Sequence, residues 1–292
     1  MKNSVKTETC KKCRLCIEIC PCKILAAGDN GEIYFLKERE HICVQCGQCI
    51  AVCSTGSVMV EGLPESMFHD LPEKISGYDE FRDFLSFRRS VRNFKDQPVS
   101  VEDMQKIIDT LAYAPYGSAP NEVHITAVTD RAVIESALPL MSAFLDNIVK
   151  WIESPMMRYM IKRRKGVETL NTLKNHVYPK AKIGNYKLEN GDRITRGAPA
   201  ILIFHADTEA EEHTHNAMIY GVYAMLAAQS LGLGATMISL VPAAINKIEE
   251  VKRIFGIPVS HEAIISVIIG HPKVKFKKAI RREKTNVNWI TA

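Results

Sequence analysis

The chain has 292 residues, with 38 Lys and Arg against 33 Asp and Glu, a formal net charge of +5, and nine cysteines. All nine cysteines fall within the first 53 residues, which argues against a disulfide scaffold stapling the whole chain and for two domains of different chemistry. The opening "MKNSVKTET" is polar and no apolar run approaches the ~20 residues that cross a bilayer, so the expectation is a cytoplasmic protein with no membrane partner.

Cys10, Cys13, Cys16 and Cys20 recur 33 positions later as Cys43, Cys46, Cys49 and Cys53, a duplicated half-domain. Three thiols two residues apart can hold successive corners of an iron–sulfur cubane, while the fourth is placed to leave that site. Structural zinc instead takes paired C-x2-C units separated by a longer loop, which this triplet does not match. Residues 1–62 resemble a bacterial two-cluster ferredoxin. The resemblance implies two [4Fe–4S] clusters, one on Cys10, Cys13, Cys16 and Cys53, the other on Cys43, Cys46, Cys49 and Cys20. "CST" at 53–55 departs from "CPC" in the first half, the proline being absent. Cys22 is left over and reads as a small buried apolar residue. Two such clusters would bring the formal charge from +5 to about +1, so the charge does not argue for a nucleic-acid partner.

Residues 63–77 carry Pro64, Pro72 and Gly77 with no sustained period and read as a linker. "YDEFRDFLSFRRS" spaces Phe81, Phe84, Leu85 and Phe87 as a helix would. Ser100 is placed to cap a helix through "VEDMQKIIDTLAYA". Residues 123–130, 200–206 and 263–271 read as strands, the last two apolar enough to be buried on both faces. Residues 140–190 read as a polar helical insertion, with "KRRK" at 162–165 as its wet face. Residues 217–234 are apolar almost all round, as in a core or interface helix. His213 and His215 read as solvated residues near a helix start.

Four segments concentrate polar chemistry: "RRSVRNF" (88–94), "APYGSAPN" (114–121), "GLGATMISL" (232–240) and "GHPKVKFKKAIRRE" (270–283). In this order they resemble the FMN-dependent nitroreductase family over residues 78–292. The resemblance implies that Arg88, Ser90 and Arg281 bind the phosphate and ribityl chain, with Arg89 in the same cofactor set. It implies Arg92 near N1 and O2 of the flavin, and Ile238, Ser239 and Leu240 along the ring. Pro115, Tyr116, Gly117 and Ser118 would come from the partner subunit of a homodimer. The loop departs from the family's "PSGxNxQPW": Ala119 stands for an asparagine and Asn121 for the glutamine.

The expected fold class is α+β: a two-cluster ferredoxin-type domain (1–62), a linker (63–77), and a nitroreductase-like mixed sheet flanked by helices (78–292). The expected function is an iron–sulfur flavoprotein passing electrons from the clusters to FMN and on to a nitroaromatic, quinone or activated alkene. A low-potential donor, ferredoxin or NAD(P)H, would supply them. The alternatives are an electron-transfer module serving a protein partner and an NAD(P)H-driven flavin reductase with accessory clusters.

Overall fold

The computed structural model describes residues 2–117, 120–281 and 286–291. The chain forms two units, Met1–Ser76 and Gly77–Ala292.

In the first unit β1 (Ser4–Val5) pairs antiparallel with β4 (Val58–Met59), and β2 (Leu25–Ala27) with β3 (Ile33–Phe35). Helices α1 (Leu15–Ile19) and α2 (Gln48–Ala51) occupy equivalent places in the two halves. The duplication extends to the backbone. Lys12 and Gln45 have φ 55° and 49°, and Arg14 and Gly47 have φ 65° and 71°. Ile24, Leu25, Ile33, Phe35, Val58 and Val60 pack with Cys16, Cys20 and Cys49 into a small core.

This unit corrects the cluster reading. Cys20, Cys22, Cys43, Cys46 and Cys49 line one cavity of about 20 Å³. Cys10, Cys13, Cys16 and Cys53 line another of about 20 Å³. Among the described residues no group of three or more His, Cys, Asp or Glu is placed to hold a metal ion. This overturns the expectation of two [4Fe–4S] clusters, of a ferredoxin-type metal-binding domain, and of electron transfer from clusters to flavin. Each set of cysteines shares a cavity, but a shared lining does not by itself aim three donors at one ion. Here burial pushes the Cys49 thiol up to about 11 and raises Cys16 and Cys43. Cys53 goes the other way, to about 7: burial raises it, but donors from Thr55 and Ser57 outweigh that. Cys22 is half-buried.

The second unit is built on a four-stranded sheet of order β5 (His124–Val128), β6 (Ala200–Asp207), β8 (His261–Gly270), β7 (Gly234–Ile238). Neighbouring strands are antiparallel, and a parallel bridge from Ser90 to Ala235 extends the β7 edge. β6 is buried from Ala200 through Ala206, as a central strand covered on both faces must be.

Helices cover the two faces with separate cores. On one side α4 (Val101–Thr110) and α8 (His213–Ser230) pack Met104, Ile107, Ala217 and Ala224 against Leu202, Phe204 and Val267. Ser100 caps α4 by accepting from the Asp103 N–H at 3.0 Å. On the other side α5 (Arg131–Glu153), α9 (Leu240–Ile245) and α10 (Glu249–Ile254) pack Ile134, Met141, Leu145, Val241 and Val251 against Ile201, Ile203 and Ile268. α3 (Tyr78–Phe87) opens the unit, and the insertion contributes α6 (Pro155–Thr172) and α7 (Tyr178–Lys182). Lys162, Arg163, Arg164 and Lys165 are all exposed on α6.

Several boundaries differ from the sequence reading: α4 ends at Thr110, and β5, β6 and β8 shift by one or two residues at their ends. α8 begins four residues earlier than expected and ends at Ser230, because Gly232 takes φ 73° and the Leu233 N–H closes onto the Ala228 carbonyl at 2.8 Å. α5 runs 23 residues and is, by length and composition only, long and apolar enough to cross a membrane. It corrects the expectation that no segment approaches that length, and its Ile134, Leu138, Met141 and Leu145 are buried in the core.

Candidate functional site

The segment after α3 is held at both ends. Val91 N–H donates to the Ala235 carbonyl at 3.1 Å, Lys95 N–H to His271 at 2.8 Å, and Lys273 N–H to Asn93 at 3.0 Å. Between these pins Val91 and Phe94 are buried, while Arg92 and Asn93 are exposed and line a cleft. With α3 and residues 276–281 this segment walls the cleft, of about 1090 Å³. Arg88, Arg89, Ser90, Arg92 and Arg281 all line it, as do Tyr78, Arg82, Asn93 and Phe276.

The arginines are not equivalent. Arg89 is spent on the backbone: Nη1 donates to the carbonyls of Ser86 (2.9 Å) and Arg88 (2.6 Å), and Nη2 to that of Lys278 (2.8 Å). It ties the end of α3 to the C-terminal segment. Arg92 makes one long bond, Nη1 to the Ser90 carbonyl at 3.3 Å. The side chains of Arg88 and Arg281 bond no described residue. Two unspent guanidinium forks in one cleft suit a phosphate.

The other predicted positions lie elsewhere in the single chain. Gly117 N–H donates to Asn216 Oδ1 at 2.9 Å, at the start of α8. Tyr116 is 41% exposed and lies near Tyr220, whose hydroxyl is raised by burial and then by Tyr116. Pro115 is exposed beside them, and Ser118 lies outside the described residues. Ile238 ends β7, its carbonyl accepting from Ser266 Oγ at 2.8 Å, and Leu240 opens α9. Ser239 lines a second cavity of about 330 Å³ with His213, Asn246 and Glu262. His215 pairs with Glu212 at 2.7 Å on the surface.

Two constellations escaped the sequence reading. His124, His205 and His261 meet at one end of the sheet, with His205 Nδ1 and His261 Nδ1 2.8 Å apart and Thr126 Oγ1 3.1 Å from His205 Nε2. Each comes from a different strand, so no local spacing announces them. Arg193 and Arg196 in "GDRITRG" stand near Arg92; burial lowers Arg196, Tyr186 and Asp192 act to raise it, and Arg92 and Arg193 lower it. A pair of cations beside a Gly–Asp turn is a local signal that could have been read.

Residues 85–271 match the model of the Nitroreductase family. The chain belongs to this family of enzymes. Its second unit shares the fold of a nitroreductase with bound FMN from Bacteroides fragilis (TM-score 0.52, 18% identity, covering 73% of this chain and 99% of that one). A nitroreductase with bound FMN from Desulfitobacterium hafniense gives TM-score 0.52 and 21% identity over 73% of this chain and 98% of that one. An iodotyrosine deiodinase bound to FMN and 3-iodo-L-tyrosine gives 0.50 and 15% over 72% and 99%. At these identities the likeness is one of fold.

Proposed function

We propose that the second unit binds FMN in the arginine cleft and reduces a small electron-poor acceptor, such as a nitroaromatic, a quinone or an activated alkene. The observation that carries this reading is the convergence of Arg88, Ser90, Arg92 and Arg281 on one cleft, in a nitroreductase-family chain, with the Arg88 and Arg281 side chains unspent. When bound, the flavin supplies one- or two-electron chemistry that no side chain can. Arg88 and Arg281 hold the phosphate by charge-assisted forks. Ser90 hydrogen-bonds the ribityl chain, and Arg92 sits at the electronegative ring edge. Arg89 fixes the cleft floor through its three carbonyl bonds. A low-potential donor, NAD(P)H or a reduced ferredoxin, supplies electrons.

Neither the 115–117 loop nor Ile238–Leu240 lines the cleft in one chain, so a second protomer is inferred to complete the site with its Pro115, Tyr116, Gly117 and Ser118. The test is a flavin titration followed by fluorescence quenching. Arg88→Ala and Arg281→Ala are each expected to weaken FMN binding by roughly 1.5–3 kcal/mol, with unchanged circular dichroism. Wild-type affinity in both variants would remove the cleft as the flavin site.

A further inference from the structure

The loop that follows the helical insertion carries two arginines, Arg193 and Arg196, whose side chains make no ion pair with a described residue. Asp192 is its one carboxylate, and it is fully used as scaffold. Its Oδ1 accepts from the Ile194 N–H (2.9 Å) and the Thr195 N–H (2.7 Å). Its Oδ2 accepts from the Gly197 N–H (2.9 Å), Arg131 Nη2 (3.0 Å) and the Thr195 hydroxyl. A carboxylate offers about four lone-pair positions, so five donors leave none for Arg193 or Arg196. Arg131 locks the frame further, with Nη1 donating to Thr195 Oγ1 (3.0 Å) and the Ala198 carbonyl (2.8 Å).

On this frame Arg196 is held half-buried at φ 63°, a strained setting for a residue with a Cβ. Its guanidinium makes no hydrogen bond or ion pair with a described residue. Burial lowers its pKa most; Tyr186 and Asp192 favour its charge, and Arg92 and Arg193, of the same sign, oppose it. The loop and the Arg92 segment are packed together: a Cβ on Gly270 would lie 2.6 Å from Pro199 Cδ and 2.8 Å from Phe94 Cδ1, so both close on one glycine. Arg92 and Arg193 are exposed and Arg196 is half-buried, and a half-buried cation among like charges is stabilised when an anion joins it. The flavin phosphate is already served by Arg88 and Arg281.

We propose that Arg92, Arg193 and Arg196 form a subsite for a carboxylate on the electron acceptor, which makes the preferred substrates aromatic or unsaturated acids. This rests on the flavin-reductase reading above. Arg92 belongs to both parts: it lines the cleft, and it brings the anion to the edge of the flavin ring. The subsite selects substrates by charge, and the Asp192–Arg131 frame keeps its cations from collapsing onto an internal acid.

The test compares benzoate with benzamide by calorimetry on flavin-loaded and flavin-free protein, and 4-nitrobenzoate with 4-nitrobenzamide by their KM values. Wild-type protein is expected to prefer each acid over its amide. In Arg196→Met that preference falls roughly tenfold or more, the size of one lost charge-assisted hydrogen bond, while FMN affinity holds. Arg196→Lys restores part of it. Arg193→Gln is the second variant, should Arg196→Met melt early. Unchanged benzoate binding in both Arg196→Met and Arg193→Gln overturns the subsite. So does a proportionate loss of FMN, which would assign the cluster to the phosphate. If wild-type protein binds no FMN, the flavin reading falls, and benzoate titration of the flavin-free protein still decides the subsite.

Discussion

His205 shows how one side chain can set a pH limit on the fold. It is 4% exposed at the end of β6 and faces His124, His261 and Thr126, with Lys252 near and Asp207 beside His261. Burial first, then the neighbouring histidines and Lys252, push it from 6.5 to about 4. The unfolded chain therefore binds the extra proton between these values and the folded chain does not. Stability is complete above about 6.5 and is lost as pH falls towards 4. Melting temperatures measured across this window are expected to fall with pH, and His205→Gln is expected to flatten the dependence. The same slope in the variant would place the titration elsewhere.

At the scale of elements, the loop before β6 is held by bonds that converge on one carboxylate, Asp192. Asp192 is a buried acceptor whose burial alone would raise it; bonds from Thr195, Gly197 and Arg131 more than reverse this and hold it ionised. Asp192→Asn keeps the shape but forfeits the Arg131 pair, at a cost of about 2–4 kcal/mol in urea unfolding. A loss below about 0.5 kcal/mol would mean that the frame does not depend on this charge. This loop also marks where sequence reading stopped. β6 and β8 were visible as continuous apolar runs, α4 by its Ser100 cap, and the arginines at 88–92 by their grouping. The five donors on Asp192 come from Arg131 and from turn geometry, and neither leaves a period in the sequence. The cysteines taught the converse. Their repeat was legible down to the matched backbone at Lys12 and Gln45, yet spacing alone did not place three donors around a metal.

For the whole molecule, charge and assembly are unevenly distributed. Residues 151–190 hold nine Lys and Arg against three Glu, more than the chain's net charge of +5. α8 leaves Met218 and Val222 about two-fifths exposed beside the Tyr116 loop, as expected of a face that a second copy covers. Sedimentation across a dilution series, read at the flavin absorbance, is expected to show a dimer whose FMN is released as it dissociates. A monomer retaining stoichiometric FMN would show that one chain builds the entire site.

The short run between the Ser90–Ala235 and Phe94–Pro272 bridges has a consequence for which changes the gene can tolerate. Only residues 91–93 separate the two anchors, so the segment behaves as a ruler of fixed length. Losing or gaining one codon here would keep every arginine in the protein. It would nevertheless shift Arg92 relative to the cleft or detach an anchor. Reading frame aside, this stretch should accept substitutions far more readily than changes in length.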